Sequence, residues 1–294
     1  MKVAHDVWRL SKGTVPTILV DRHPFHVIRT ELYEIGQLAA RGADLGRWAV
    51  PIDRVVGKEG VTYLEGSVDS IDLEHRRVLV GREWIPYGSL AVALGNVPAY
   101  YGVPGAADHL HQVYGLLGAI RLADELKTLE SGAPGRPRGH PPRVVVVGGG
   151  ATGTEVAAEI ATADWASIAG PSAKAPRVTL VCGALPFLDG FDRELVEHAR
   201  QLLREAKVDV NEGSNVTAVR KGVAELANGT VLRYDVGVWA AGLEAPAVVK
   251  ALPVAHGHAG RISVPATLEV PGHPGVFAVG DAAELKEAES STWQ

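Results

Sequence analysis

The segment Arg143-Val-Val-Val-Val-Gly-Gly-Gly-Ala-Thr-Gly-Thr-Glu155 limits what this chain can fold into more than any other stretch. Its four consecutive valines suit a parallel strand buried on both faces. Gly148, Gly150 and Gly153 follow with the spacing G-x-G-x-x-G, and Val156, Ala157, Ile160 and Ala161 then recur as the apolar face of a helix. Each glycine has a physical task in such a turn. Gly148 permits the tight turn, Gly150 lets a pyrophosphate approach the backbone, and Gly153 lets helix and strand pack closely. The helix start adds free N–H groups and the positive end of a dipole. Strand, glycine turn and helix together read as a dinucleotide site, with Gly149 and Thr152 inside the loop; an unoccupied structural turn is the alternative. The segment begins near the middle of the chain, where a protein holding two nucleotides carries its second site.

The remaining composition narrows the field. The 294 residues are enough for two domains of ordinary size, and 46% hydrophobic residues with 34 glycines and 18 prolines suit a loop-rich α/β protein with a real core. A net charge of −5 without a basic run gives no reason to expect nucleic acid as a partner. A single cysteine excludes a disulfide framework, a C-x-x-C redox pair and a thiolate metal cage. No stretch approaches the roughly 18–20 apolar residues that span a bilayer. The N-terminus lacks an apolar signal-peptide region, since His5, Asp6, Trp8 and Arg9 interrupt it; Met1 to Lys12 instead suits an amphipathic helix. These features describe a soluble, cytoplasmic chain.

Two segments, Thr17-Ile-Leu-Val-Asp21 and Arg177-Val-Thr-Leu-Val-Cys182, read as short buried strands. Ser131–Pro142 and Gly170–Pro176, rich in proline and glycine, read as exposed loops flanking the dinucleotide unit. An internal repeat carries more weight. Val61–Gly95 aligns on Val208–Gly242 without a gap at an offset of 147, with eight identities in 35 positions. Glu65-Gly66-Ser67 falls on Glu212-Gly213-Ser214, Tyr87 on Tyr234, and Gly95 on Gly242. Each copy reads as strand, charged β-ribbon, turn and buried strand, which suggests two related nucleotide-binding units. On either helix- or strand-based alignment, the first unit's glycine loop would fall nine to thirteen positions before residue 1. The sequence is therefore expected to start inside the first helix of its first Rossmann unit.

At this point four segments carry a resemblance to the two-dinucleotide flavoproteins of the pyridine-nucleotide oxidoreductase superfamily, and within it to the type II NADH dehydrogenases. They are Leu19-Val-Asp-Arg-His-Pro-Phe-His26 with Glu31-Leu-Tyr-Glu34, Leu90-Ala-Val-Ala-Leu-Gly-Asn96 with Gly102-Val-Pro-Gly105, Val238-Trp-Ala-Ala-Gly242, and Gly275-Val-Phe-Ala-Val-Gly-Asp281. The resemblance implies an α/β fold of two Rossmann-like units: an incomplete FAD-binding domain at residues 1–102 and 263–294, and an NAD(P)H-binding domain at 103–262 inserted within it. It implies FAD and NAD as cofactors and electron transfer from NADH through flavin to a quinone, at the inner face of the cell membrane in the intact architecture, with a homodimer admitted. Asp21 would then hydrogen-bond the FAD adenosine ribose. Gly280 and Asp281 would bind the ribityl and pyrophosphate region, and Gly95 and Gly242 would leave room for nucleotides at strand ends. Glu155, just inside the helix after the glycine loop, would approach the nicotinamide–flavin contact. A carboxylate in a first helical turn is also simply stabilising, by about 0.3–1 kcal/mol. Hydride transfer needs stacking and alignment more than a side-chain acid, so neither a triad nor a metal site is expected. His109, His111, His256 and His258 lack ligand spacing and read as surface or loop residues.

The sequence departs from the family in three places. The FAD glycine loop is not in it, which would leave a gap in the first unit's sheet. It stops at Gln294, thirteen residues after Asp281, before the segment that contacts flavin and quinone. Cys182 stands where an acid would accept the NAD ribose hydroxyls, 29 residues after Gly153, and reads as a small core residue rather than a nucleophile. The alternatives left open are a non-catalytic NAD-binding remnant and another FAD/NAD(P)H reductase such as a ferredoxin-reductase-like enzyme.

Overall fold

The computed structural model describes residues 1–28, 32, 34, 49–56, 60–130 and 141–286. The chain is mixed α/β, and its described residues divide into two compact units, one built on those within 1–26, 49–97 and 243–286, the other on those within 27–48 and 98–242. By this division residues 243–262 group with the outer segments.

The inner unit is organised by the valine strand. Arg143–Val147 lies at the centre of a five-stranded sheet ordered His111–Gln112, Val236–Trp239, Arg143–Val147, Arg177–Val181, Asp209–Asn211. All four pairings are parallel. Val144 to Val147 are buried, as a strand covered on both faces requires. The helix Ala151–Thr162 buries Gly153, Val156, Ala157 and Ile160, the one-sided spacing that the sequence foretells. Gly170–Pro176 is the expected loop, while most of the Ser131–Pro142 stretch lies outside the described residues, as do parts of the Glu31–Glu34 segment. The buried Trp165 indole N–H donates to the Ile160 carbonyl at 2.9 Å and so closes the end of the loop helix.

Order within the sheet decides where a ligand can enter. From the central strand the chain moves outward to Arg177–Val181 and Asp209–Asn211, then returns to the other side as Val236–Trp239. The strand order therefore reverses between Arg143–Val147 and Val236–Trp239, and in open α/β sheets ligands bind outside the carboxyl ends of strands at such a reversal. The glycine loop starts there.

The repeat has a structural counterpart. In the outer unit, strand Thr62–Glu65 leads to an antiparallel ribbon of Val68–Asp72, Arg77–Val80 and Glu83–Pro86, and then to Leu90–Val92. In the inner unit, Asp209–Asn211 leads to the ribbon Val216–Arg220, Val223–Leu226 and Val231–Arg233, and then to Val236–Trp239. Both ribbons carry a register shift in their first pairing, at Val68/Ser70 and at Val216/Ala218. The aligned tyrosines do the same job at the ribbon's exit: Tyr87 N–H donates to the Arg76 carbonyl and Tyr234 N–H to the Gly222 carbonyl, at 2.9 and 3.0 Å. In the inner unit the ribbon residues Val216, Val219, Ala224 and Leu226 pack with Val145, Val147 and Trp239 of the parallel sheet.

The outer unit has its parallel strands in separate pairs: Ile18–Asp21 with Thr62–Glu65, Leu90–Val92 with Val276–Ala278, and Ile262–Val264 with Ala283–Leu285. The amphipathic helix expected at the N-terminus is present as Lys2–Leu10. Ile18–Asp21 corrects one expectation. It reads as a buried strand, but Ile18 is 50% exposed and no residue of the strand is buried, because among the described residues only its Leu19 packs, and partly, against the small cluster of Ala4, Ile52, Val56 and Val61. The unit's main core instead gathers around Val92, Ile262, Val264, Val276 and Ala278.

Candidate functional site

The loop after Arg143–Val147 is fixed by backbone bonds on three sides. Gly148 N–H donates to the Val181 carbonyl at 2.9 Å, Ala240 N–H to the Val147 carbonyl at 2.7 Å, and Leu188 N–H to the Gly149 carbonyl at 2.8 Å. Its glycines then differ sharply in what a side chain would meet. Gly148 has φ of +127°, and a Cβ there would lie within 3.0 Å of the Ala240 carbonyl. At Gly153 the added carbon would collide with the Gly148 carbonyl oxygen, so helix and turn touch backbone to backbone. Gly150 has an ordinary extended conformation (φ −80°, ψ −176°) and nothing within 4 Å of where its Cβ would be. Two glycines are thus demanded by the protein, while the space at Gly150 is left open.

That open space faces a helix start that lacks a side-chain cap: Gly150 is the N-cap, and no acidic residue occupies the first turn. A helix N-terminus with no competing carboxylate suits an anion. Glu155 is therefore corrected: the helix begins at Ala151, so the glutamate sits beyond the first turn and takes little of the dipole benefit its position seemed to offer. It lies on the exposed side of the helix, and what desolvation it suffers raises its carboxyl pKa above the ordinary value. Thr152 is half-buried in the first turn, and the Thr154 hydroxyl donates back to the Gly150 carbonyl at 2.9 Å.

Gly149 carries a contact that the sequence does not reveal. A Cβ there would strike Cys182 within 3.0 Å, so the second glycine of the loop is shaped by the end of the neighbouring strand. Cys182 is fully buried, and burial, with the Glu212 carboxylate adding to it, pushes its thiol pKa up to about 11 from 9.0. A buried neutral thiol is a packing group, as expected. The shift also sets a pH dependence. Between about pH 9 and 11 the unfolded chain releases this proton while the folded chain keeps it. Stability therefore falls with rising pH, by about 1.4 kcal/mol per unit across that window. Urea unfolding at about pH 8 and about pH 10 is expected to show this loss in the wild type and a much smaller one in Cys182→Ala; equal losses in both would refute the assignment.

Gly242 ends the other strand of the reversal. It has φ of +146°, and a Cβ would meet the Tyr101 hydroxyl within 3.0 Å. Its carbonyl accepts from Ala99 N–H at 3.0 Å, and the Trp239 indole N–H donates to the Ala99 carbonyl at 2.9 Å. The structure thus brings Gly148, Gly149, Gly150, Thr152, Gly153 and Gly242 to one end of one sheet. Tyr101 joins them, signalled in the sequence only by the turn at Gly102.

The other predicted residues lie in the outer unit. Leu90–Val92 and Val276–Ala278 are neighbouring parallel strands, and Val279 N–H donates to the Val92 carbonyl at 3.0 Å. Gly95, with φ of +65°, and Gly280, with φ of +62°, therefore leave adjacent strand ends together. Gly280 has nothing within 4 Å of a would-be Cβ, and Asp281 is exposed in the turn Gly280–Ala282. Asn96 beside them is only 6% exposed, and its Oδ1 has no hydrogen-bond partner, a buried polar atom of the kind a ligand satisfies. Asp21 stands apart on its own strand pair, where one carboxylate oxygen accepts from His23 N–H at 2.9 Å. Of the histidines, His109, His256 and His258 are exposed, whereas His111 corrects its reading: it lies half-buried in the sheet's edge strand, bonded to Glu125. No group of metal-ligating side chains occurs among the described residues.

Residues 14–294 match the family described as pyridine nucleotide-disulphide oxidoreductase. The chain belongs to that family. It is 35% identical over 280 residues to an NADH dehydrogenase-like protein of Mycobacterium tuberculosis, covering 93% of this chain and 66% of the relative. It is 31% identical over 300 residues to the type II NADH:quinone oxidoreductase Ndh of the same organism, covering 95% and 64%. The chain thus spans just under two thirds of the length of these curated relatives. Among solved structures, that of NDH2 from Plasmodium falciparum in complex with NADH superposes with a TM-score of 0.80 at 17% identity, covering 92% of this chain and 60% of that one. A ferredoxin reductase from Rhodopseudomonas palustris superposes with a TM-score of 0.79 at 19% identity, over 97% and 66%. The Rossmann-like fold of family members is therefore the fold of this chain. No helix among the described residues is long and apolar enough to cross a membrane.

Proposed function

We propose that the chain is the core of an FAD-dependent oxidoreductase that takes a hydride from NADH and passes electrons to a quinone-type acceptor. The observation that carries this reading is the contrast within the glycine loop: Gly148 and Gly153 are filled against backbone, while Gly150 is open at an uncapped helix start. Gly150 combines this open space with ordinary backbone angles at a helix start, so neither strain nor a local contact calls for glycine there. Relatives named as NADH dehydrogenase-like and as type II NADH:quinone oxidoreductase support the same reading.

In this reading the loop N–H groups and the helix dipole bind the NADH pyrophosphate, and Gly242 ends the neighbouring strand with the exposed Tyr101 hydroxyl beside it. FAD, when bound, supplies the two-electron acceptor for the hydride. The outer unit's residues fit that group: Gly95 and Gly280 leave backbone approachable, Asp281 offers a carboxylate to hydroxyls, and the orphaned Asn96 Oδ1 offers a buried acceptor. Asp21, whose second carboxylate oxygen would take a ribose hydroxyl, completes the set. Glu155, exposed on its helix, would approach the nicotinamide–flavin contact. Quinones partition into lipid, so the acceptor would be met at the cytoplasmic face of a membrane.

The purified chain is expected to be yellow, with flavin near one per chain, bleached by NADH without oxygen and restored by a soluble quinone. A colourless chain that still binds NADH would leave only a nucleotide-binding module.

A further inference from the structure

The loss of an acid at Cys182 poses a question of selectivity. In Rossmann units a carboxylate at this strand end accepts the adenosine ribose hydroxyls and turns away a 2′-phosphate. Here the position holds a buried neutral thiol. The fold places an ion pair beside it. Cys182 N–H donates to the Asn211 carbonyl at 2.7 Å, so Glu212 leaves the adjacent strand next to the cysteine. The Glu212 carboxylate is gripped by both Nη atoms of Arg200, with Nη2 to Oε2 at 2.9 Å, and accepts Phe187 N–H at 3.4 Å. The Arg200 guanidinium lies over the Phe187 ring, 4.9 Å from its centroid. Phe187 precedes Leu188, whose N–H is bonded to the Gly149 carbonyl, so the pair is tied directly to the glycine loop. Both partners remain partly open to solvent, at 26% for Arg200 and 36% for Glu212.

We propose that the Arg200–Glu212 ion pair sets how this site discriminates a dinucleotide bearing a ribose 2′-hydroxyl from one bearing a 2′-phosphate. The proposal rests on the NADH reading of the loop given above and adds the residues that choose between the two nicotinamide nucleotides. The segment Gly183–Leu188 follows the strand end at Cys182 and meets the pair at Phe187, whose N–H donates to Glu212 and whose ring Arg200 covers. The position Cys182 occupies also feels both charges, since Glu212 raises and Arg200 lowers the pKa of its thiol. With the pair intact, the carboxylate holds the guanidinium and denies it to a phosphate, which favours NADH. A free guanidinium would instead bind a 2′-phosphate through charge-assisted, bidentate bonds.

The test is the ratio of NADPH to NADH dissociation constants, measured by direct titration, because a ratio within one variant cancels any general loss of fold. Wild type is expected to prefer NADH. Glu212→Gln should move the ratio toward NADPH by about tenfold, and Arg200→Gln, which leaves the carboxylate uncompensated, should move it further toward NADH by about as much. The double variant should return it close to wild type. If NADH binds but the ratio is the same in both single variants, the ion pair has no part in selectivity and the proposal falls while the NADH reading stands. If wild type binds neither nucleotide, the NADH reading itself falls and takes the proposal with it.

Discussion

Replacing Gly150 by alanine is expected to weaken NADH binding by about tenfold or more, equal to about 1.4 kcal/mol, while leaving the fold intact. The backbone there is one any residue adopts, and nothing stands within 4 Å of the new methyl group. Two small effects on stability oppose each other. Alanine restrains the unfolded chain, worth about 0.4–1 kcal/mol, and it is a poorer N-cap than glycine by a similar amount. Gly148→Ala should do the reverse. Its φ of +127° is costly for any L side chain, and its Cβ would press on the Ala240 carbonyl. Backbone strain of about 1–3 kcal/mol and overpacking of about 1–3 kcal/mol together threaten a domain of ordinary stability. Urea unfolding and NADH titration on the same two proteins separate the roles. Unchanged NADH affinity in the stable Gly150→Ala protein would mean that the loop does not hold the dinucleotide.

Trp239→Ala should be the most destabilising single change at the other side of the reversal. The indole is 4% exposed, packs 5.7 Å from the Tyr100 ring and bonds the Ala99 carbonyl. Removing it costs about 3–5 kcal/mol by cavity formation. Trp239→Phe keeps most of the packing but strands the carbonyl of the buried Ala99, costing about 1–3 kcal/mol. Because Ala99 N–H also holds the Gly242 carbonyl, the milder variant should loosen the Tyr101 contact with Gly242 as well. Thermal or urea unfolding of the two variants gives the order; a phenylalanine variant as stable as wild type would show that the indole hydrogen bond contributes nothing.

The glycine loop was legible because each of its requirements is local. Turn, strand and helix follow one another within a dozen residues, and the backbone dictates the spacing. The repeat was legible for a similar reason, since two copies of one ribbon must place their bulge, turn and tyrosine alike. Contacts between distant segments were not. Gly149 owes its size to Cys182, and Gly242 stands beside the Tyr101 hydroxyl, neither of which any periodicity announces. Glu212 appeared in the repeat only as the partner of Glu65, and its grip on Arg200 depends on how a helix returns over the sheet. Ile18–Asp21 misled because a run of apolar residues reports the character of a strand but not how many neighbours it finds. Glu155 misled only about the helix dipole, because the helix starts at Ala151 and leaves the glutamate beyond its first turn.

The paired ladders of the outer unit bear on how the molecule comes apart. Among the described residues, Ile18–Asp21 is bonded along one edge and is nowhere buried, whereas the central strand of the five-stranded sheet is bonded on both sides. Local opening is then expected to be cheapest at the Ile18–Asp21 ladder and dearest at the valine strand. The glycine loop hangs from that valine strand, so it is expected to keep its shape while the exposed ladder frays.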